Sequence, residues 1–130
     1  MTDRDRPWSP VTLPDLPPPA GAYSPAVRAG NLLFVSGQTP RDPATGQVSG
    51  TGVAEQTRIT LRNLERVLAA AGAALRHVVS VTVHLADERE WGTFDAVYRE
   101  VFTAPFPTRT VVGASLRGID VEITAIAFLP

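Results

Sequence analysis

At 130 residues, 44% hydrophobic and with a formal net charge of −1, the chain suits one domain with a single core and carries no electrostatic footprint for nucleic acid. It has no cysteine and no lysine, which excludes thiol nucleophiles, thiolate metal ligands, disulfides and lysine Schiff bases. No stretch nears the ~18 apolar residues of a membrane span, and the charged, proline-broken start "MTDRDRPWSP" is not a signal peptide, so a cytoplasmic location is expected.

Residues 1–25 hold seven of the twelve prolines. Proline fixes φ and removes a donor, so this stretch reads as an extended arm. We assign residues 1–18 to a partly disordered arm and residues 19–130 to one domain. "AVRAGNLLFVSGQTP" reads as a β-hairpin turning at Ala29-Gly30-Asn31, with Gly37 marking a bulge or a close backbone approach. "RDPATGQVSG" is a loop.

Over residues 53–71, Thr57, Leu61, Leu64, Leu68 and Ala71 recur at three- and four-residue steps and predict an amphipathic helix, with Gly72 just past its end. "VVSVTVHLA" alternates, placing Val81, Val83 and Leu85 on one face of a strand and Thr82 and His84 on the other. "DEREWGTFDAVYREVF" predicts a second helix, capped by Asp87 with Glu90 as in a capping box, and with Trp91, Phe94, Tyr98 and Phe102 along one side. "TRTVVGA" and "DVEITAIAFL" are the last two strands, joined by the short loop "SLRG".

The order strand, strand, helix, strand, helix, strand, strand predicts an α+β fold with two helices on one face of a mixed sheet. Several strands are apolar on both sides, as in "LLFV" and "ITAIAF". The uncovered face therefore needs a partner, and self-association with closed symmetry supplies one.

Two charges stand where the pattern expects core. Arg109 heads a β-branched strand, and Glu122 interrupts an apolar one. Short-loop strands usually pair antiparallel, so the two are expected to approach at one end. A structural ion pair at a sheet edge is one account. The other is an arginine fork for a substrate carboxylate, with a carboxylate nearby to handle water. Tyr23 reads as a core or interface aromatic, and Ser36 as a group satisfying the end of a strand. His84 reads as structural, and Asp95 as a solvated helix residue unless its face turns towards a cleft. The two histidines, His77 and His84, lack further ligands at recognisable spacing, so no metal site is expected.

The stretches "AYSPAVRAGNLLFVSGQTPRDPATGQV", "EQTRITLRNLERVLAAAG", "VVSVTVHLAD", "FDAVYREVF", "FPTRT" and "VEITAIAFL", in this order, resemble the YjgF/RidA family of reactive-intermediate deaminases from about residue 19 onward. The resemblance implies a chorismate-mutase-like fold and a homotrimer with clefts between subunits. It implies cofactor-free hydrolysis of enamines or imines such as 2-aminoacrylate to 2-keto acids and ammonia. By position, Arg109 corresponds to the family's carboxylate-binding arginine and Glu122 to the glutamate near the attacking water. Tyr23, Ser36 and Gly37 fall in cleft-lining segments, and Asp95 stands where asparagine is frequent. Ala22, Pro25, Val111 and Thr124 also depart from the usual pattern. The resemblance equally accommodates a non-catalytic trimer that binds small carboxylates, or a divergent member acting on another imine. RNA cleavage, reported for some relatives, is disfavoured by the net charge of −1 and the lack of a basic, aromatic-lined groove.

Overall fold

The computed structural model describes residues 5–16 and 18–130. Of the arm expected over residues 1–18, residues 1–4 and 17 lie outside the described residues. Six strands and two helices follow in the order β1 (Ser9–Pro10), β2 (Ala26–Ala29), β3 (Leu32–Gln38), α1 (Gly52–Ala70), β4 (Val78–Leu85), α2 (Trp91–Val101), β5 (Thr108–Gly113) and β6 (Val121–Phe128). Short 3₁₀ turns at Leu75–His77 and Glu88–Glu90 lead into β4 and α2. No helix among the described residues is long and apolar enough to cross a membrane.

The strands form one mixed sheet in the order β1-β2-β3-β6-β4-β5. β2 and β3 are the expected hairpin, turning at Gly30 with φ +60°. β6 then inserts between β3 and β4 and runs antiparallel to both. β5 pairs in parallel with β4.

This corrects the expectation for the last two strands. β5 and β6 are joined by a short loop but do not pair, because β4 lies between them. Parallel neighbours need a long crossover, and α2 supplies it between β4 and β5.

Alternation decides which face each strand buries. Val81, Val83 and Leu85 of β4 and Val121, Ile123, Ala125 and Ala127 of β6 are buried on the helix side. They pack with Leu61, Leu64 and Leu68 of α1 and with Phe94 and Tyr98 of α2. α1 ends as its glycine predicts: Gly72 adopts φ +77°, and the Ala73 amide donates to the Leu68 carbonyl. Asp87 caps the 3₁₀ turn before α2 rather than α2 itself, accepting from the Arg89 amide at 3.0 Å.

The opposite face carries Leu32 and Phe34 of β3, Val112 of β5 and Phe128 of β6, all exposed in the single chain. Phe128 is 53% exposed.

Candidate functional site

Arg109 faces the helices. It sits opposite Val81 in the β4–β5 register, and Val81 belongs to the core. Its guanidinium lies 4.6 Å from the ring centre of Tyr98, 5.4 Å from that of Trp91 and 5.6 Å from that of Phe94. All three rings come from α2, so the aromatic row read as a helix face is also a sleeve for this cation.

Asp95, on the next turn of α2, accepts a hydrogen bond from Arg109 Nη1 at 2.8 Å and one from Arg99 Nε at 3.3 Å. The Arg109 hydrogen bond holds the Asp95 carboxyl below the ordinary carboxylate range. Partial burial opposes the shift, and Arg99 adds to it. Asp95 is thus no solvated helix residue: its side chain is 16% exposed and turned onto Arg109. Burial pushes the Tyr98 hydroxyl up to about 12, and that hydroxyl has no hydrogen-bond partner among the described residues.

A cavity of about 310 Å³ opens beside this cluster, lined by Asp95, Tyr98, Arg99, Phe106, Pro107 and Arg109. Among the described residues, only Nη1 of Arg109 is engaged in a hydrogen bond. The guanidinium keeps other donors for a ligand, in a geometry suited to a planar carboxylate.

Glu122 lies on the other face. It is opposite His84 in the β4–β6 register, and its exposure alternates with the buried Val121 and Ile123. Arg109 and Glu122 are therefore on opposite sides of the sheet, with β4 between their strands. The expected approach of the two within one chain does not occur. Arg109 pairs with Asp95 instead.

Three of the sequence-predicted residues, Tyr23, Ser36 and Gly37, gather at the end of β3, with Gly37 against Glu122. Between the pairs Val35–Ala125 and Gln38–Ile123, Ser36 and Gly37 together oppose Thr124, a bulge at the place the glycine marked. A Cβ on Gly37 would lie 2.8 Å from Glu122 Cδ, so the glycine is what lets the carboxylate fold over this strand. Ser36 Oγ donates to the Ser24 carbonyl at 2.6 Å and fixes the segment carrying Tyr23. Tyr23 itself is 57% exposed rather than core. Tyr23, Ser36 and Gly37 share a second cavity of about 200 Å³, whose arm-side wall includes Leu13, Leu16 and Pro19.

Two side-chain amides on α1, Gln56 buried and Asn63 half-buried, hold this end in place. Gln56 accepts from the Asp120 amide at 2.7 Å, two residues before Glu122. Asn63 donates to the Thr39 and Arg41 carbonyls at 2.9 and 2.8 Å, just beyond Gly37.

Sequence reasoning missed the aromatic sleeve and Arg99, whose signal was the four-residue spacing of Asp95 to Arg99. It also missed His84 beside Glu122, since the β4–β6 register could not be read before the sheet order was known.

The family model described as Endoribonuclease L-PSP matches residues 14–129. A RutC family protein of Pyrococcus horikoshii is 43% identical over 114 residues, covering 86% of this chain and 90% of that one. The 2-iminobutanoate/2-iminopropanoate deaminase of Mus musculus is 41% identical over 119 residues, covering 90% of this chain and 88% of the mouse protein. Among solved structures, E. coli TdcF with bound serine superposes with a TM-score of 0.85 at 30% identity, covering 94% of this chain and 99% of that one.

Proposed function

This chain belongs to the YjgF/RidA (endoribonuclease L-PSP) family, and from that premise we propose that it hydrolyses small imines and enamines bearing a carboxylate, such as 2-aminoacrylate, to 2-keto acids and ammonia. The observation that carries the reading is Arg109. It is fixed by an aromatic sleeve and by one bond to Asp95, and it keeps further donors at a cavity mouth.

In this reading the remaining guanidinium donors hold the substrate carboxylate. The opposition of Arg109 and Glu122 across the sheet fits a cleft assembled from two copies, the arginine half from one and the Glu122, Ser36, Gly37 and Tyr23 half from its neighbour. A homotrimer closes three such clefts and covers Leu32, Phe34 and Phe128.

An enamine such as 2-aminoacrylate first becomes its imine, taking a proton from water at its terminal carbon and losing one from nitrogen; from the imine, the proton accounting needs only water and one carboxylate. Water adds to the imine carbon as Glu122 takes its proton and passes it to nitrogen, giving a carbinolamine. The hydroxyl proton then returns through Glu122 to the amine as the C–N bond breaks. The products are a ketone and ammonia, and Glu122 ends ionised. Imines hydrolyse unaided, so positioning and electrostatics can supply the acceleration.

The test couples an amino-acid oxidase to the protein and follows imine loss. We expect faster loss with the protein present, and Arg109→Ala to abolish the effect. Equal rates with and without protein would sink the hydrolase reading. The bound serine in the TdcF structure favours a second reading, a trimer that binds small carboxylates without turning them over. Saturable binding of a 2-keto acid with no imine turnover is its signature.

A further inference from the structure

We propose that His84 is a positioning residue for Glu122, its Nδ1–H holding one carboxylate oxygen so that the other faces the attacking water. The inference rests on the hydrolase reading above. His84 and Glu122 are direct cross-strand neighbours. His84 Nδ1 is shielded from solvent and meets no hydrogen-bond partner among the described residues. A buried polar group left unpaired is destabilising, so it points to an acceptor. Glu122 Oε1 lies 3.9 Å from it. That distance exceeds a hydrogen bond, but the terminal torsion of a glutamate is soft and a small turn closes it.

Glu122 is hemmed in on both flanks. Gly37 lies against it from β3, and His84 faces it from β4. The other groups around His84 leave Glu122 as its partner. β5 presents Val112, and the same strand presents Thr82. Asp120 precedes the start of β6. Glu88 packs against Gly113, which is opposite the core residue Leu85 and so belongs to the helix side. His84 forms and breaks no bond to carbon. It keeps the carboxylate aimed while the protons move from water oxygen to imine nitrogen.

The experiment compares His84→Phe, His84→Asn, Glu122→Gln and the double variant His84→Phe with Glu122→Gln, each checked for an unchanged melting temperature. His84→Phe is expected to lower kcat about 10-fold, the scale of one hydrogen bond to a charged group, with KM within about twofold. His84→Asn, whose amide donates from nearly the same place, should restore most of the turnover at neutral pH. In the Glu122→Gln background, His84→Phe should cost nothing further. Nitrogen NMR supplies a readout free of activity: the His84 Nδ1 resonance should move on Glu122→Gln. An unmoved resonance, or full additivity of the two substitutions, overturns the proposal. Absence of turnover by the unmodified protein overturns the hydrolase reading instead, and the resonance then still decides whether His84 holds Glu122.

Discussion

Arg109 is held from two sides, and the two attachments fail differently. The ring faces of Tyr98, Trp91 and Phe94 attract any cation, but a planar guanidinium stacks and chelates where an ammonium cannot. Arg109→Lys should therefore keep the fold and lose most turnover. Loss of a desolvated charge contact of ~2–5 kcal/mol is roughly 30-fold to several thousand-fold in rate. The check is turnover of two imines, one with a carboxylate and one with an amide in its place. A loss that is equal for both separates core packing from substrate recognition. Asp95 gives a second prediction. Its carboxyl is held below its ordinary range chiefly by the Arg109 hydrogen bond. A depressed carboxylate adds stability above its unfolded value of ~3.9, and that stability is lost as pH falls through the folded value. Asp95→Asn should then lower the melting temperature at pH 7 by about a few degrees, with the difference closing below about pH 4. It should also free Arg109 Nη1 and lower KM for carboxylate imines. Thermal melts at pH 7 and pH 3, beside KM, decide both. At this scale the sequence singled out charged residues but not their partners. Arg109 and Glu122 stood out as charges in apolar runs, whereas the Arg109–Asp95 contact joins two elements whose relative placement no local pattern encodes.

The elements themselves were legible wherever a period ran long enough. α1, α2 and β4 follow from three-to-four and two-residue spacings, and the β2–β3 turn follows from Ala-Gly-Asn. β1 was not, because two residues with a proline carry no period. The order of β4, β5 and β6 was misjudged because a short loop favours a hairpin. Here, though, the neighbour of β5 was already chosen through the α2 crossover. The bulge in β3 shows what such local chemistry buys the site. Gly37→Ala places a methyl 2.8 Å from Glu122 Cδ. The obstacle is the end of a flexible side chain, so Glu122 should swing away while the sheet persists. Turnover should fall about 10-fold or more at nearly unchanged melting temperature, and a crystal structure of the variant should show the displaced carboxylate. A large loss of stability with Glu122 in place would contradict this account.

At the scale of the molecule, the open sheet face is what the proposed assembly rests on. Leu32, Phe34 and Phe128 are too apolar and too close together to be left to water. Sedimentation equilibrium should return three times the 13.9 kDa chain mass, and Phe128→Asp should shift the protein towards monomer and remove turnover with it. Turnover by a stable monomer would break the two-copy cleft. The sequence foresaw the unpaired face, because alternation shows apolar residues on both sides of "LLFV" and "ITAIAF". It could not show that the two charges lie on opposite sides of the sheet, which is the feature from which we propose a cleft shared by two copies.

The two margins of the sheet are unlike. At one margin the last strand is Ser9–Pro10, only two residues long and with no amide at Pro10 for another chain to pair with. The other margin ends in β5 with "TRTVVG", a β-branched run with every amide intact up to its glycine. Strand-by-strand growth into fibrils is thus opposed more strongly at the Ser9–Pro10 margin than at β5. Removing the arm through Pro10 would strip that guard from Ala26–Ala29 and leave both margins competent to recruit.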